Sequence, residues 1–206
     1  LFLYGNMTYQ SNVSDTLALT YYNGNSDTDI SIPDKVTDQA SGTTYSVTQI
    51  GSWAFRYKKI TGSLHLPNTL VSIVDNAFFN NKFSGTLSLP NTLVSIGDYA
   101  FGKNRFTGDL TIPVSVSHMG AGAFNSAGFT GNLTIEGKLT KLEDYAFFEC
   151  GFTGALSLPD TLTYIGFAVF KDCGFTGSLQ LPAGITYIEA GSFYNCSSFT
   201  GALQLP

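Results

Sequence analysis

The sequence predicts a solenoid, mostly β, that stacks short parallel strands and one helical turn in each 23-residue repeat. Three markers carry that prediction and all keep one period. Pro stands at Pro67, Pro90, Pro113, Pro159 and Pro182 in steps of 23, with Glu136 in the one vacant slot, and Pro206 follows after 24. A second marker runs Ala54-Phe55, Ala77-Phe78, Ala100-Phe101, Ala123-Phe124 and Ala146-Phe147, continued by Val169-Phe170 and Ser192-Phe193. The third is Phe-Thr-Gly, as in Phe106-Thr107-Gly108, Phe129-Thr130-Gly131 and Phe152-Thr153-Gly154. Chance does not hold three independent markers in register through successive units. A unit this short cannot bury its own Leu, Ile and Phe, so neighbours must stack into a continuous apolar column. Equivalent residues then lie roughly 4.8 Å apart, the spacing of paired strands.

Taken in chain order, residues 1–29 read as an N-terminal β-hairpin cap. Met7-Thr8-Tyr9-Gln10 and Thr16-Leu17-Ala18-Leu19-Thr20 supply its two strands, which close the open end that a solenoid would otherwise expose. Residues 30–63 form an irregular first repeat. Ile30-Ser31-Ile32-Pro33 matches Leu64-His65-Leu66-Pro67, yet 34 residues separate the two Pro, a surplus of 11 over the period. The surplus falls in 34–46, where Lys35-Val36-Thr37 and Thr44-Tyr45-Ser46-Val47 alternate around Ala40-Ser41-Gly42, the pattern of an inserted hairpin.

Regular repeats occupy 64–206. In each, Leu-x-Leu points two side chains to one side of a short strand, and Pro ends that strand because it donates no ladder hydrogen bond. A second extended stretch follows at Leu93 to Ile96 or Leu162 to Ile165. Gly-Asp-x-Ala-Phe comes next, and Asp75, Asp98 and Asp144 are placed to cap a single helical turn. The Gly after Thr serves the bend into the next strand. The last repeat is truncated: Leu203, Leu205 and Pro206 begin a strand, so that edge is expected to meet further chain or pair with another molecule.

Composition excludes several function classes. Charged residues make up 12%, about half the usual share of roughly 25%. Lys plus Arg is 10 against Asp plus Glu 15, a net charge of −5 that opposes a general nucleic-acid partner. No run approaches the roughly 18 apolar residues of a membrane helix, so membrane insertion is not expected. The two histidines, His65 and His118, fall in different columns two repeats apart, which leaves no ligand set for zinc. No phosphate-binding Gly motif or nucleophile motif occurs, so neither a cofactor nor catalysis is expected. Cys150, Cys173 and Cys196 share one column with Asn81, Asn104 and Ala127. They read as small buried residues, although adjacent-coil spacing lies within reach of a disulfide.

Charge placement gives the candidate binding residues. Lys59, Lys82 and Arg105 share a column, with Arg56, Lys58 and Lys103 within three residues of it; six of the 10 basic residues thus gather on one edge of the first regular repeats. Such an edge suits a polyanion, glycan or acidic protein. Tyr164 and Tyr187, stacked in a neighbouring column, are the other candidate anchors.

Ile165-Gly166, Ala146-Phe147-Phe148-Glu149-Cys150 and Leu156-Ser157-Leu158-Pro159 carry a resemblance that covers residues 30 to 206. The chain resembles the BspA-type (Treponema-type) leucine-rich repeat family of bacterial surface proteins. One departure is the Phe of Phe-Thr-Gly, where the family more often places Leu one residue later, and a local change of core packing is expected. The resemblance implies a leucine-rich repeat solenoid, a secreted or surface-attached location, and a non-catalytic adhesion or protein-interaction role toward a host or neighbouring cell. The second reading is a structural spacer in a larger surface protein, with no ligand of its own.

Overall fold

In-register pairing turns the repeat into a fold. The computed structural model describes residues 1–11, 16–24 and 28–201. Ser72-Ile73, Ser95-Ile96 and His118-Met119 pair in parallel, each with the same two residues of the next coil. Lys141-Leu142, Tyr164-Ile165 and Tyr187-Ile188 continue that column as a separate sheet. A second column is the Leu-x-Leu strand, where Leu110–Ile112, Leu133–Ile135 and Leu156-Ser157 pair in parallel. A third column comprises Thr61-Gly62, Lys82–Gly85 and Arg105-Phe106. Each strand is two to four residues long, enough for one inward side chain or two.

The start of the chain is built differently. Phe2–Tyr4, Met7–Ser11 and Thr16–Tyr22 run antiparallel to one another. Thr16–Tyr22 lies parallel to Thr44–Ile50, and Gln49-Ile50 pairs with Ser72-Ile73, so this sheet is continuous with the first column. Lys35–Thr37 runs antiparallel beside Thr44–Ile50. Tyr9, Leu17 and Leu19 are fully buried and cover the end of the apolar column. Across the 11-residue insertion, Ile30-Ser31 still pairs in parallel with Leu64-His65.

The predicted helical turn is corrected: no helix occurs among the described residues. Backbone bonding explains why. Ala54 and Arg56 N–H bond back to Gly51 and Trp53 carbonyls, closing turns within the coil, whereas Trp53, Phe55 and Tyr57 N–H donate to Asp75, Ala77 and Phe79 carbonyls of the next coil. The same alternation recurs at Asn76, Phe78 and Asn80 and at Tyr99, Phe101 and Lys103. Left-handed residues make it possible, since Trp53, Tyr57, Asn76, Asn80, Tyr99 and Lys103 all have φ between 52° and 59°. An α-helix would turn every N–H inward and leave the coils unjoined on this side.

The aspartates are therefore not helix caps. Asp75 Oδ1 accepts from the N–H of Asp98 at 2.9 Å, and Asp98 and Asp144 Oδ1 accept from Ala121 and Phe167 N–H at 2.8 Å. Each carboxylate staples its coil to the next. Gly97 precedes the receiving residue because any Cβ there would fall on the Asp75 carboxylate and backbone. Asp109, Asn132 and Asp29 act likewise on the strand side, toward Asn132, Ala155 and Ser63 N–H.

Two aromatic ladders fill the core. Phe55, Phe78, Phe101, Phe124, Phe147, Phe170 and Phe193 stack with centroids 5.0 to 5.7 Å apart, and Tyr22 extends the column into the N-terminal sheet at 4.9 Å. The Phe of Phe-Thr-Gly forms the second ladder, Phe83 through Phe199, at 5.3 to 6.1 Å. Edge-to-face contacts such as Phe124–Phe129 at 6.1 Å lock the ladders together. Toward the far end Phe193, Phe199, Leu179 and Ile185 are only partly covered. The strand expected at Leu203 to Pro206 lies outside the described residues.

Two outcomes are expected. Phe124→Ala should cost about 3–5 kcal/mol in urea unfolding, because it opens a cavity between three rings; a loss under about 1 kcal/mol would contradict the ladder as a main source of stability. Asp29 is held below the ordinary carboxylate range, mainly by the Ser63 N–H and then by the Ser63 hydroxyl. A carboxyl depressed on folding stabilises above its unfolded pKa and loses that effect as pH falls through the folded value. Protection of the Ser63 amide from hydrogen exchange should therefore persist through the ordinary carboxylate range and drop only at lower pH, with Asp29→Ala removing it at every pH.

Candidate functional site

The third strand column and the turn before it shape one groove of about 470 Å3. Its walls are Tyr57 and Lys59 from one coil, Asn80, Asn81 and Lys82 from the next, Lys103, Asn104 and Arg105 from the third, and Ser126 from the fourth. The groove thus crosses successive coils. Lys59, Lys82, Lys103 and Arg105 are exposed, and the one ion pair among the described residues is Lys141–Glu143 at 2.8 Å. All four cations therefore face solvent without a carboxylate partner. Counting by 23 puts Lys59, Lys82 and Arg105 in a straight column, but the strands pair with a two-residue offset. Lys82 lies opposite Thr61 and Arg105 opposite Ser84, so the cations follow a slanted row. From strand spacing and rise, neighbours in that row are roughly 8 Å apart.

The other two basic candidates are placed elsewhere. Lys58 Nζ donates to Tyr21 Oη at 2.9 Å and lies 4.3 Å from the centre of that ring. Arg56 stacks its guanidinium 4.7 Å from the Tyr57 ring and 5.7 Å from Phe79. Sequence reasoning missed Tyr57, Asn80 and Ser126 as groove residues. Their signal was available, since they occupy the Lys103 column at the same period.

Tyr164 and Tyr187 stack in parallel at 5.7 Å, as expected from their column. Tyr164 is engaged within the protein: its hydroxyl donates to Glu189 Oε1 at 2.9 Å and Lys141 Nζ lies 4.8 Å over its ring. The Glu189 contact, with a smaller contribution from burial, pushes Tyr164 up to about 12. Tyr187 presents an open ring, 54% exposed.

The structure brings together one group that the sequence kept apart. Ser63 Oγ lies 2.7 Å from Asp29 Oδ1 and 3.2 Å from His65 Nε2. Serine has one hydroxyl proton, and the carboxylate can only accept it. His65 is then the donor to Ser63, and Asp29 bonds the serine instead of orienting the imidazole. That order inverts the nucleophile–base–carboxylate arrangement of a hydrolytic triad. The Ser63 N–H also goes to Asp29, so the group is a coil staple. His118 lies on the neighbouring strand column, exposed.

The three cysteines are free thiols in a donor column. Cys150, Cys173 and Cys196 Sγ donate to the Phe124, Phe147 and Phe170 carbonyls at 2.9, 3.2 and 2.9 Å. Asn81 and Asn104 Nδ2 do the same for Phe55 and Phe78 at 2.7 and 3.1 Å. Burial pushes Cys150 up to about 12 and raises Cys173 and Cys196 as well. Native protein at neutral pH should accordingly leave Cys150 and Cys173 unlabelled by a thiol reagent, and denatured, non-reduced protein should titrate three thiols; a titre of one would mean a bridge.

Six copies of the BspA type leucine-rich repeat region match residues 19–153 and 121–203. Among solved structures, a leucine-rich repeat protein from Bacteroides ovatus ATCC 8483 is 21% identical over 96% of this chain and 63% of its own, with a TM-score of 0.51. The chain thus spans less than two thirds of that protein. The pneumococcal vaccine antigen PcpA is 17% identical over 98% of this chain and 69% of its own, with a TM-score of 0.66. The leucine-rich repeat protein of T. pallidum is 20% identical over 82% of this chain and 86% of its own, at 0.58. No functionally curated protein matches the chain in sequence. At these identities the solved structures establish the architecture, and the repeat matches over nearly the whole chain establish that it belongs to the BspA-type leucine-rich repeat family.

Proposed function

We propose that this chain is an extracellular, non-catalytic interaction module that holds a macromolecule on a host or neighbouring cell against its basic edge. The observation that carries the reading is the groove of Lys59, Lys82, Lys103 and Arg105, four cations with no carboxylate partner on a chain of net charge −5. Like charges roughly 8 Å apart along a slanted row still repel one another, so a fold with few charges gains nothing structural from this row. Family membership supports a surface location and an adhesive role. The outward strand face offers a poorer site. Thr86, Ser88, Asp109 and Thr111 are small and exposed, without the Trp, Tyr or Arg anchors of a protein hot spot.

Immobilised protein incubated with serum and extracellular-matrix extract should retain a ligand that the Lys59→Ala/Lys82→Ala/Arg105→Ala variant loses. Retention by both forms would move the site off the basic edge. Retention by neither would favour a spacer that positions another domain.

A further inference from the structure

We infer that the ligand of the basic groove is an acidic polysaccharide, sulfated or carboxylated, lying lengthwise across the coils; this rests on reading the groove as the interaction surface. The groove's direction is the first reason. It runs from Tyr57 in one coil to Ser126 three coils later, so it admits an extended chain. Its cations recur coil by coil, which matches a polymer that repeats its own charge, whereas acidic side chains on a folded protein rarely line up at one interval.

The lining is the second reason. Between the cations stand the amide of Asn80 and the ring of Tyr57, 54% exposed, and no Leu, Ile, Val, Met or Phe side chain lines the groove. Protein anchors require desolvated apolar pockets. Sugars offer hydroxyls to amides and a flat ring face to an aromatic side chain. The acidic boundary is Glu149, which accepts a hydrogen bond from Ser126 at 3.2 Å and so marks the far end of the positive field.

Backbone conformation supplies a variant for the test. Lys59 and Lys103 have φ of 60° and 54°, left-handed values that Gly or Asn would adopt at lower cost. Asn80 and Asn195 hold the Lys103 position in other coils, at φ of 55° and 58°. Tyr57, Ser126, Glu149 and Asp172 hold that position too, at φ of 52° to 60°, so the backbone there takes residues of any charge and Asn fits it without change. Lys103→Asn therefore removes the charge without threatening the fold.

The test is calorimetric titration of the 206-residue chain with size-defined heparin and hyaluronan oligosaccharides, and with poly-glutamate as the acidic-peptide probe. Heparin or hyaluronan should bind more tightly than poly-glutamate, and more weakly as salt is raised. Lys82→Ala/Arg105→Ala should lose about tenfold in affinity, the sum of two exposed charge contacts. Lys103→Asn should weaken binding while its Tm stays level or rises, and Lys138→Ala, at an exposed position in another column, should bind like the parent. Tighter binding of poly-glutamate would overturn the inference in favour of an acidic protein. Absence of glycan binding by folded protein would also overturn it, and the interaction-module reading would then survive only if serum or matrix extract still yields a ligand that depends on the basic edge.

Discussion

Stacking identical side chains at the spacing of paired strands is the constraint on which everything else depends. Rings 5.0 to 5.7 Å apart in the first Phe ladder nearly match the separation of adjacent coils, so ring contact and backbone pairing reinforce each other. Once the ladders fix one residue type per column, every other column must tolerate its own neighbour. Apolar columns do so without cost. Polar columns do so only if each member passes its hydrogen bond along the stack.

Most polar columns here follow that rule. Asn81, Asn104 and the three cysteines donate to carbonyls of the preceding coil. Thr92 and Thr161 hydroxyls donate to the carbonyls of Leu70 and Leu139. The stacked aspartates escape mutual repulsion because each carboxylate faces a backbone N–H of the next coil. The charged share of 12% follows, since a repeated charge without such an outlet would repel its copies. The basic groove is where the chain breaks its own rule: Lys103 lies 5.8 Å over the Phe79 ring, but no ion pair offsets the break.

Much of the groove was legible as well. The period placed Lys59, Lys82, Lys103 and Arg105 on one edge, and the groove contains all four. Arg56 and Lys58 were legible only as neighbours in sequence. Which way a side chain leaves the turn depends on the sign of φ, and of the three rings that hold them only Tyr57 is adjacent in sequence, while Tyr21 is distant in the chain and Phe79 lies on another coil. Tyr164 was drawn away from solvent by Glu189, 25 residues on, which a column count does not register.

What the sequence determined by itself was the period, and with it the solenoid, the buried Leu, Ile and Phe columns, the pairing partners in two of the three strand columns and the basic edge. These follow because stacking makes residue i and residue i+23 physical neighbours, so a linear repeat is already a list of contacts. What only the tertiary structure decided was how the coil closes. Gly-Asp-x-Ala-Phe has the local signature of a capped helical turn, yet its alternate N–H groups and its Asp carboxylates are claimed by the next coil. The two-residue offset that slants the cations arises in the same way, from pairing between coils. Both outcomes belong to the stack, because a single coil in isolation has no neighbour to donate to and would satisfy its hydrogen bonds within itself.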